Sequence, residues 1–319
     1  MELPVKLKNS LEEFSQNFSQ ADLVKSAQNI SQNYRDKFGS GNRFALSNKD
    51  VIAYSIVRMP ATFTAIKTAM ERMKEIYPTN FESMLDIGSG TGSAVWATMS
   101  VFENIKNVTC VERESNMIWG AKTLMGKSEF KEKVEWINVD IQNLNLTQNY
   151  DLVVAGYSLN ELPKETRQKI VKYLWEHTNK VLLIVEPGTP EAYLQMMDTR
   201  DTLINLNGKI IAPCPHMENC PIKSSDWCNS TCRVARSKLH KILKGGDAPY
   251  EDEKFTYLAF AKEDFKITEY SRILRHPIIE TGKVKLKLCS PCGIETKIIT
   301  KKDKELFKKA KKSECGDTF

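Results

Sequence analysis

Six of the eight cysteines in this 319-residue chain fall in two groups, Cys214 to Cys232 and Cys289 with Cys292. Both groups lie downstream of the glycine-rich run Leu85-Asp86-Ile87-Gly88-Ser89-Gly90-Thr91-Gly92. Thiolates are the ligands of structural zinc and of iron–sulfur clusters. Glycines at alternate positions let a backbone turn sharply and approach a ligand without side-chain obstruction. The two features predict a nucleotide-type cofactor site in the middle of the chain and a metal or iron–sulfur site behind it.

The glycine run follows an apolar strand and opens a helix near Ser93, the context a nucleotide-binding turn requires. It lacks the full Gly-x-Gly-x-x-Gly register of dinucleotide sites, and Asp86 stands two residues before Gly88. In this it resembles the motif of S-adenosylmethionine-dependent methyltransferases. The resemblance implies that Asp86 holds the methionine end of the cofactor beside Gly88, Gly90 and Gly92. It also implies that Glu112, ending the next strand, accepts the ribose hydroxyls, and that Asp140, ending the strand after that, meets the adenine. Asn160, in the loop after the fourth strand, is counted with the cofactor-binding residues. There Tyr157, Asn160 and Glu161 either line a substrate pocket or, for Asn160-Glu161, cap the following helix. That loop reads Ala155-Gly156-Tyr157-Ser158-Leu159-Asn160-Glu161-Leu162-Pro163. It has neither the Asn/Asp-Pro-Pro-aromatic signature of base-nitrogen methylation nor a proline–cysteine nucleophile, so no catalytic residue is assigned.

The elements that must position these residues follow from periodicity. From Leu11 to about Tyr77 the apolar spacing is helical, punctuated by Pro60 and Pro78. Short apolar runs then recur at Ser83–Ile87, Val108–Val111, Val134–Val139, Leu152–Ala155 and Val181–Val185, separated by helices. Runs buried on both faces and joined by crossovers predict an α/β fold with a doubly wound parallel sheet. With the motif resemblance, the expected class is the Rossmann-like class I methyltransferase fold. The expected organisation is a helical region over 1–80, a core over 81–211 and 255–300, a cysteine-containing insertion over 212–254, and a basic tail over 301–319.

Hydrophobic residues make up 41% of the chain, ample for a core, and no apolar stretch approaches the ~20 residues that cross a bilayer. Met1 to Phe18 holds Glu2, Glu12 and Glu13 and no arginine, which argues against a transit peptide and predicts a cytoplasmic protein. In such a compartment clustered cysteines are ligands rather than disulfides. The net charge of +6 is uneven: eleven lysines stand between Lys283 and Lys312 against Glu295, Asp303 and Glu305. One-sided charge of this kind predicts a polyanionic partner. The RNA-backbone candidates are Lys301, Lys302, Lys308, Lys309, Lys311 and Lys312, with Arg233, Arg236, Lys238 and Lys241 as an extension.

Several further motifs carry a family resemblance. They are Arg58-Met59-Pro60-Ala61-Thr62, Glu186-Pro187-Gly188-Thr189-Pro190, Ala212-Pro213-Cys214-Pro215-His216, Cys220-Pro221, Trp227-Cys228, Tyr250-Glu251-Asp252-Glu253-Lys254-Phe255, Leu288-Cys289-Ser290-Pro291 with Gly293, and the closing Gly316-Asp317. From about Arg43 to its end the chain resembles the small-ribosomal-subunit methyltransferase-like family of bacteria and mitochondria, called methyltransferase-like protein seventeen in animals. The resemblance implies binding to small-subunit ribosomal RNA and assembly intermediates, as an assembly or translation factor or as an rRNA methyltransferase. One departure is Cys315, where relatives often carry tryptophan before Gly-Asp. Thiolate chemistry and the wide gaps between Cys214, Cys220 and Cys228 favour a four-iron four-sulfur cluster over zinc, which prefers short Cys-x₂₋₄-Cys pairs. The resemblance selects Cys289 over Cys292 as the fourth ligand. His216 is expected beside the site rather than as a ligand.

Overall fold

The computed structural model describes residues 1–36, 47–223, 225–266 and 269–319; Arg43, where the family resemblance begins, lies outside them. The helical N-terminal region comprises α1 (Val5–Ser15), α2 (Gln20–Asp36), α3 (Asn48–Val57) and α4 (Met59–Ile76). A capping box fixes the start of α3, with the Ser47 side chain accepting from the Asp50 N–H and Asp50 accepting from that of Ser47. Pro60 sits in the first turn of α4, where its missing N–H breaks no helical bond. Met59, Phe63, Ile66, Met70 and Met73 recur at three- and four-residue spacing along α4, and this stripe is buried in the core shared with the sheet.

The sheet is built from β1 (Ser83–Ile87), α5 (Ser93–Val101), β2 (Asn107–Glu112), α6 (Ser115–Met125), β3 (Val134–Asn138), β4 (Tyr150–Gly156), α7 (Lys164–Glu176), β5 (Thr178–Pro187) and α8 (Pro190–Asn205). It is completed by β6 (Lys209–Ala212), β7 (Ser230–Ala235), α9 (Lys238–Lys244) and β8 (Tyr250–Ala261). The strand order is β3-β2-β1-β4-β5-β8-β6, with β7 also paired to β8. The first five strands run parallel, and β8 is antiparallel to β5. This is the class I methyltransferase arrangement. The order reverses between β1 and β4, so the crevice beyond their carboxyl ends is the place for a ligand.

Residues 255–300 do not all join that sheet. β9 (Arg272–Ile273), β10 (Ile278–Glu280), β11 (Lys283–Ser290) and β12 (Gly293–Thr300) form a second, antiparallel sheet, on which α10 (Lys304–Lys312) packs. The physical reason is legible in β11: Val284, Leu286 and Leu288 are buried while Lys283, Lys285 and Lys287 alternate with them. Such a strand has one apolar face, which suits a half-covered sheet and not one buried on both faces. The apolar set joins Ile273, Ile299 and Ala310 in a separate small core. Between β6 and β7, residues 213–223 and 225–229 carry no helix or strand. The last residues return to β9, where the Gly316 N–H donates to the Ile273 carbonyl at 2.7 Å.

Candidate functional site

The carboxylates expected at the strand ends do line one edge of the sheet. Asp86 on β1 and Glu112 on β2 are buried side by side, and Asp86 has a carboxylate oxygen with no hydrogen-bond partner. Burial, reinforced by the Glu112 charge, pushes Asp86 up to about 8. Burial also raises Glu112, partly offset by hydrogen bonds from the backbone N–H groups of Glu114 and Gly90. The Gly90 bond is 2.8 Å long, so Glu112 props the glycine loop directly. Asp140 lies two residues beyond the end of β3 and accepts from the Gln142 N–H.

The three glycines have different tasks. All have positive φ, at 64°, 53° and 84° for Gly88, Gly90 and Gly92. A Cβ on Gly88 would lie 2.6 Å from that of Ser158, and one on Gly92 would lie 2.2 Å from Met125 Cε, so both permit close packing. A Cβ on Gly90 would meet nothing within 4 Å. Gly90 is therefore where the loop leaves room for a ligand to approach.

Past β4, Asn160 is buried with its side-chain carbonyl oxygen unpartnered. The helix cap is not its role: Pro163 occupies the N-cap of α7, without a side-chain capping bond. Glu186 has no spacing signature beyond the Glu186-Pro187-Gly188 run. The structure places it at the end of β5, buried, accepting from the Leu159 N–H at 2.9 Å and pushed up to about 8 by burial. Glu186 thus pins the loop that carries Asn160. Tyr157 adopts a φ of 56° and donates its hydroxyl to Glu253 at 2.9 Å, which ties this loop to β8.

The second candidate site is a cavity at the joint of the two sheets. Cys214, Cys220 and Cys228 from the irregular loop and Cys289 from β11 line it together with His216, Tyr257 and Arg272. Cys289 Sγ lies 3.8 Å from His216 Nε2, and Tyr193 Oη lies 3.3 Å from Cys220 Sγ. Burial pushes Cys214 and Cys228 up and Cys289 up to about 12, while the Arg200 and Arg272 charges act to lower Cys214 and Cys289. Cys292 is exposed, and Cys232 lies on β7 in a different cavity beside Arg72, so neither shares the site. Among the described residues, no three His, Cys, Asp or Glu side chains stand close enough to hold a single metal ion. Arg272 Nη2, Tyr257 Oη and His216 Nδ1, on residues that line this cavity, are buried without hydrogen-bond partners.

The lysines expected to meet RNA sit on α10 and the turn before it. Lys301, Lys302, Lys308, Lys309, Lys311 and Lys312 are exposed, and Lys309 stands over the Phe319 ring at 5.1 Å. Among the described residues, none of the six forms an ion pair with a carboxylate. The expected extension of this surface needs correction. Arg233 pairs with Asp252 at 2.9 Å and Arg236 with Glu251 at 3.0 Å, so their charges are engaged by neighbouring acids of β8.

A family model described as mitochondrial small ribosomal subunit Rsm22 matches residues 48–319. The chain belongs to the Rsm22 family. This Rsm22-family chain is 28% identical over 285 residues to the human mitochondrial ribosome assembly protein METTL17, covering 83% of itself and 61% of that protein. It is 22% identical over 327 residues to the mitochondrial Rsm22-cox11 tandem protein 2 of Schizosaccharomyces pombe, covering 86% of itself and 43% of that protein. It thus spans about three-fifths or less of the length of these relatives. Among solved structures it is similar to the Synechocystis magnesium protoporphyrin IX methyltransferase with bound S-adenosylmethionine. That likeness has a TM-score of 0.41 and 13% identity, and covers 75% of this chain and 97% of that one.

The cytoplasmic expectation is overturned by these relatives, whose names are mitochondrial. Of the acids on which it rested, Glu12 and Glu13 lie on the exposed face of α1, whose other face buries Leu7 and Leu11 in the core.

Proposed function

We propose that this protein binds the RNA of a mitochondrial small ribosomal subunit during assembly, through the lysines of α10 and the turn before it. The observation that carries the reading is the position of Cys289. It lies on β11, in the sheet against which α10 packs, yet faces the three cysteines of the loop that follows β6 in the methyltransferase-like sheet. One bound group would thus fasten the basic surface to the core. In this reading helices α1 to α4 and the large sheet are the platform, the irregular loop after β6 is the clasp, and 301–319 is the RNA-facing end.

The clasp is read as a four-iron four-sulfur cluster on Cys214, Cys220, Cys228 and Cys289. Four thiols that line one cavity, three of them widely spaced along the loop and the fourth from β11, suit a multinuclear centre better than tetrahedral zinc with its short cysteine pairs. The cavity they line is small, about 30 Å³. Such a group would supply the folding constraint that a loop with few apolar residues lacks.

S-adenosylmethionine is the cofactor for which the first site is read. The unpartnered oxygen of Asp86, the open face of Gly90, the buried carbonyl of Asn160, Glu112 at the end of β2 and Asp140 just beyond β3 support it. When bound, the cofactor would supply an electrophilic methyl group. The side chains identified in the site provide binding and positioning, which favours an assembly role over rRNA methylation. Crosslinking in cells followed by sequencing of the bound RNA tests the proposal. Enrichment of small-subunit rRNA supports it, and an RNA profile equal to that of an unrelated basic protein refutes it.

A further inference from the structure

Two arginines are buried beside the thiol cavity, and among the described residues neither forms an ion pair with a buried acid. Arg200, on α8, and Arg272, on β9, are each only 2% exposed. Arg272 Nε donates to the Pro213 carbonyl at 3.0 Å and Nη1 to the Gly316 carbonyl at 2.7 Å, while Nη2 lies buried with no partner. The guanidinium stacks 5.0 Å from the Tyr270 ring. Arg200 Nη2 donates to the carbonyls of His216 and Glu218, and its Nε is unpartnered. The carboxylate that Arg200 touches, Asp201 at 3.4 Å, has a side chain 69% exposed, where solvent screens the pair.

Carbonyls satisfy donors but do not cancel charge. A buried cation left without an anion is strongly disfavoured, so buried charges are normally paired or set against a bound ion. The four cysteines line the same cavity as Arg272. As neutral thiols they leave two positive charges uncompensated. As the thiolates of a loaded centre they carry about two negative charges in excess of the metal core.

We propose that Arg200 and Arg272 are the countercharge of the thiolate site, and that Arg272 Nη2 donates to a sulfur of the bound centre. This rests on the cluster reading above and extends it: the arginines act as positioning residues that favour the more negative, reduced state of the cluster. Arg272 also holds Gly316, so it links the charge of the site to the C-terminal segment.

The test is the midpoint potential of the full chain, isolated anaerobically with its cluster, by a titration followed in absorbance and electron paramagnetic resonance. Arg272→Gln should shift the reduction equilibrium about tenfold toward the oxidised form, ~59 mV for a one-electron couple. Arg272→Lys, which keeps the charge, should shift it by less than half as much. If Arg272→Gln does not fold, as judged by circular dichroism and gel filtration, Arg200→Gln serves with the same expectation. Potentials unchanged in a loaded glutamine variant overturn the proposal. If the wild-type protein carries zinc instead, the cluster reading fails by itself. The countercharge then stands if the glutamine variant loses zinc to a chelator at tenfold lower concentration, and falls if it does not. A wild-type protein that binds neither metal overturns both.

Discussion

Arg72 on α4 and Asp317, close to the end of the chain, are joined by a hydrogen-bonded ion pair of 2.9 Å, and the same guanidinium nitrogen donates to the Cys315 carbonyl at 3.1 Å. Gly316 makes the approach possible: its φ is +93°, and a Cβ there would stand 2.3 Å from Arg72 Nη1 and 2.4 Å from Ser230 Oγ. The Gly-Asp pair is therefore a latch between the helical region and the C-terminal segment that also holds Arg272. Gly316→Ala should destabilise the protein by about 2–3 kcal/mol, combining backbone strain with the clash. Asp317 is partly exposed, so Asp317→Asn should cost less, about 1 kcal/mol. Urea unfolding measures both, and an unchanged midpoint for Gly316→Ala would show that the segment is not held there.

The cofactor site should be sensitive to pH in two opposite ways. Asp86 and Glu186 are both raised to about 8, so in the cofactor-free protein they bind protons that the unfolded chain has lost. Their contribution to stability is fully present below the unfolded carboxylate range near ~4 and fades as pH rises toward 8. A cationic cofactor requires ionised Asp86, so its affinity should increase between pH 6 and 8. Asp86→Asn should remove part of the stability slope and weaken the cofactor at least tenfold. Calorimetry across this range decides it; pH-independent affinity would place the cofactor elsewhere.

Gly90 offers a sharper test of place. The residue faces open space, so a side chain there collides with a ligand rather than with the protein, although its φ of +53° adds backbone strain of about 1 kcal/mol. Gly90→Val should abolish binding of S-adenosylmethionine and leave the circular dichroism spectrum nearly intact. Wild-type affinity in that variant would remove the glycine loop from the site.

Neutralising Lys308, Lys309, Lys311 and Lys312 to glutamine should weaken association with small-subunit particles and reduce the salt slope of binding by roughly 3, as four phosphate contacts are lost. Stability should change little, because these side chains are exposed. Sedimentation at graded salt reads both quantities. An unchanged slope would make this helix face merely solvated.

The parts of this molecule that are legible in the sequence are those written in contiguous residues. The glycine loop and Asp86 stand within one short run, and the five parallel strands declare themselves as apolar segments. The second sheet is harder, because Val284, Leu286 and Leu288 read equally well as a continuation of the first; only their lysine neighbours signal a half-exposed strand. The arginines are not legible at all. Arg72, Arg200 and Arg272 find their partners across the fold, at carbonyls and chain ends that leave no spacing pattern. Arg233 and Arg236 mislead for the same reason, since the acids that engage them lie on the paired strand β8.

The central claim is that Cys214, Cys220, Cys228 and Cys289 hold one cluster that fastens the RNA-facing end to the core. Quantifying iron and acid-labile sulfide in the anaerobically purified full chain tests it most directly. The account predicts brown protein with about four irons per chain, and loss of that iron in Cys289→Ser together with weaker binding to small-subunit particles. Colourless wild-type protein carrying stoichiometric zinc, or Cys289→Ser that retains wild-type iron, would contradict it.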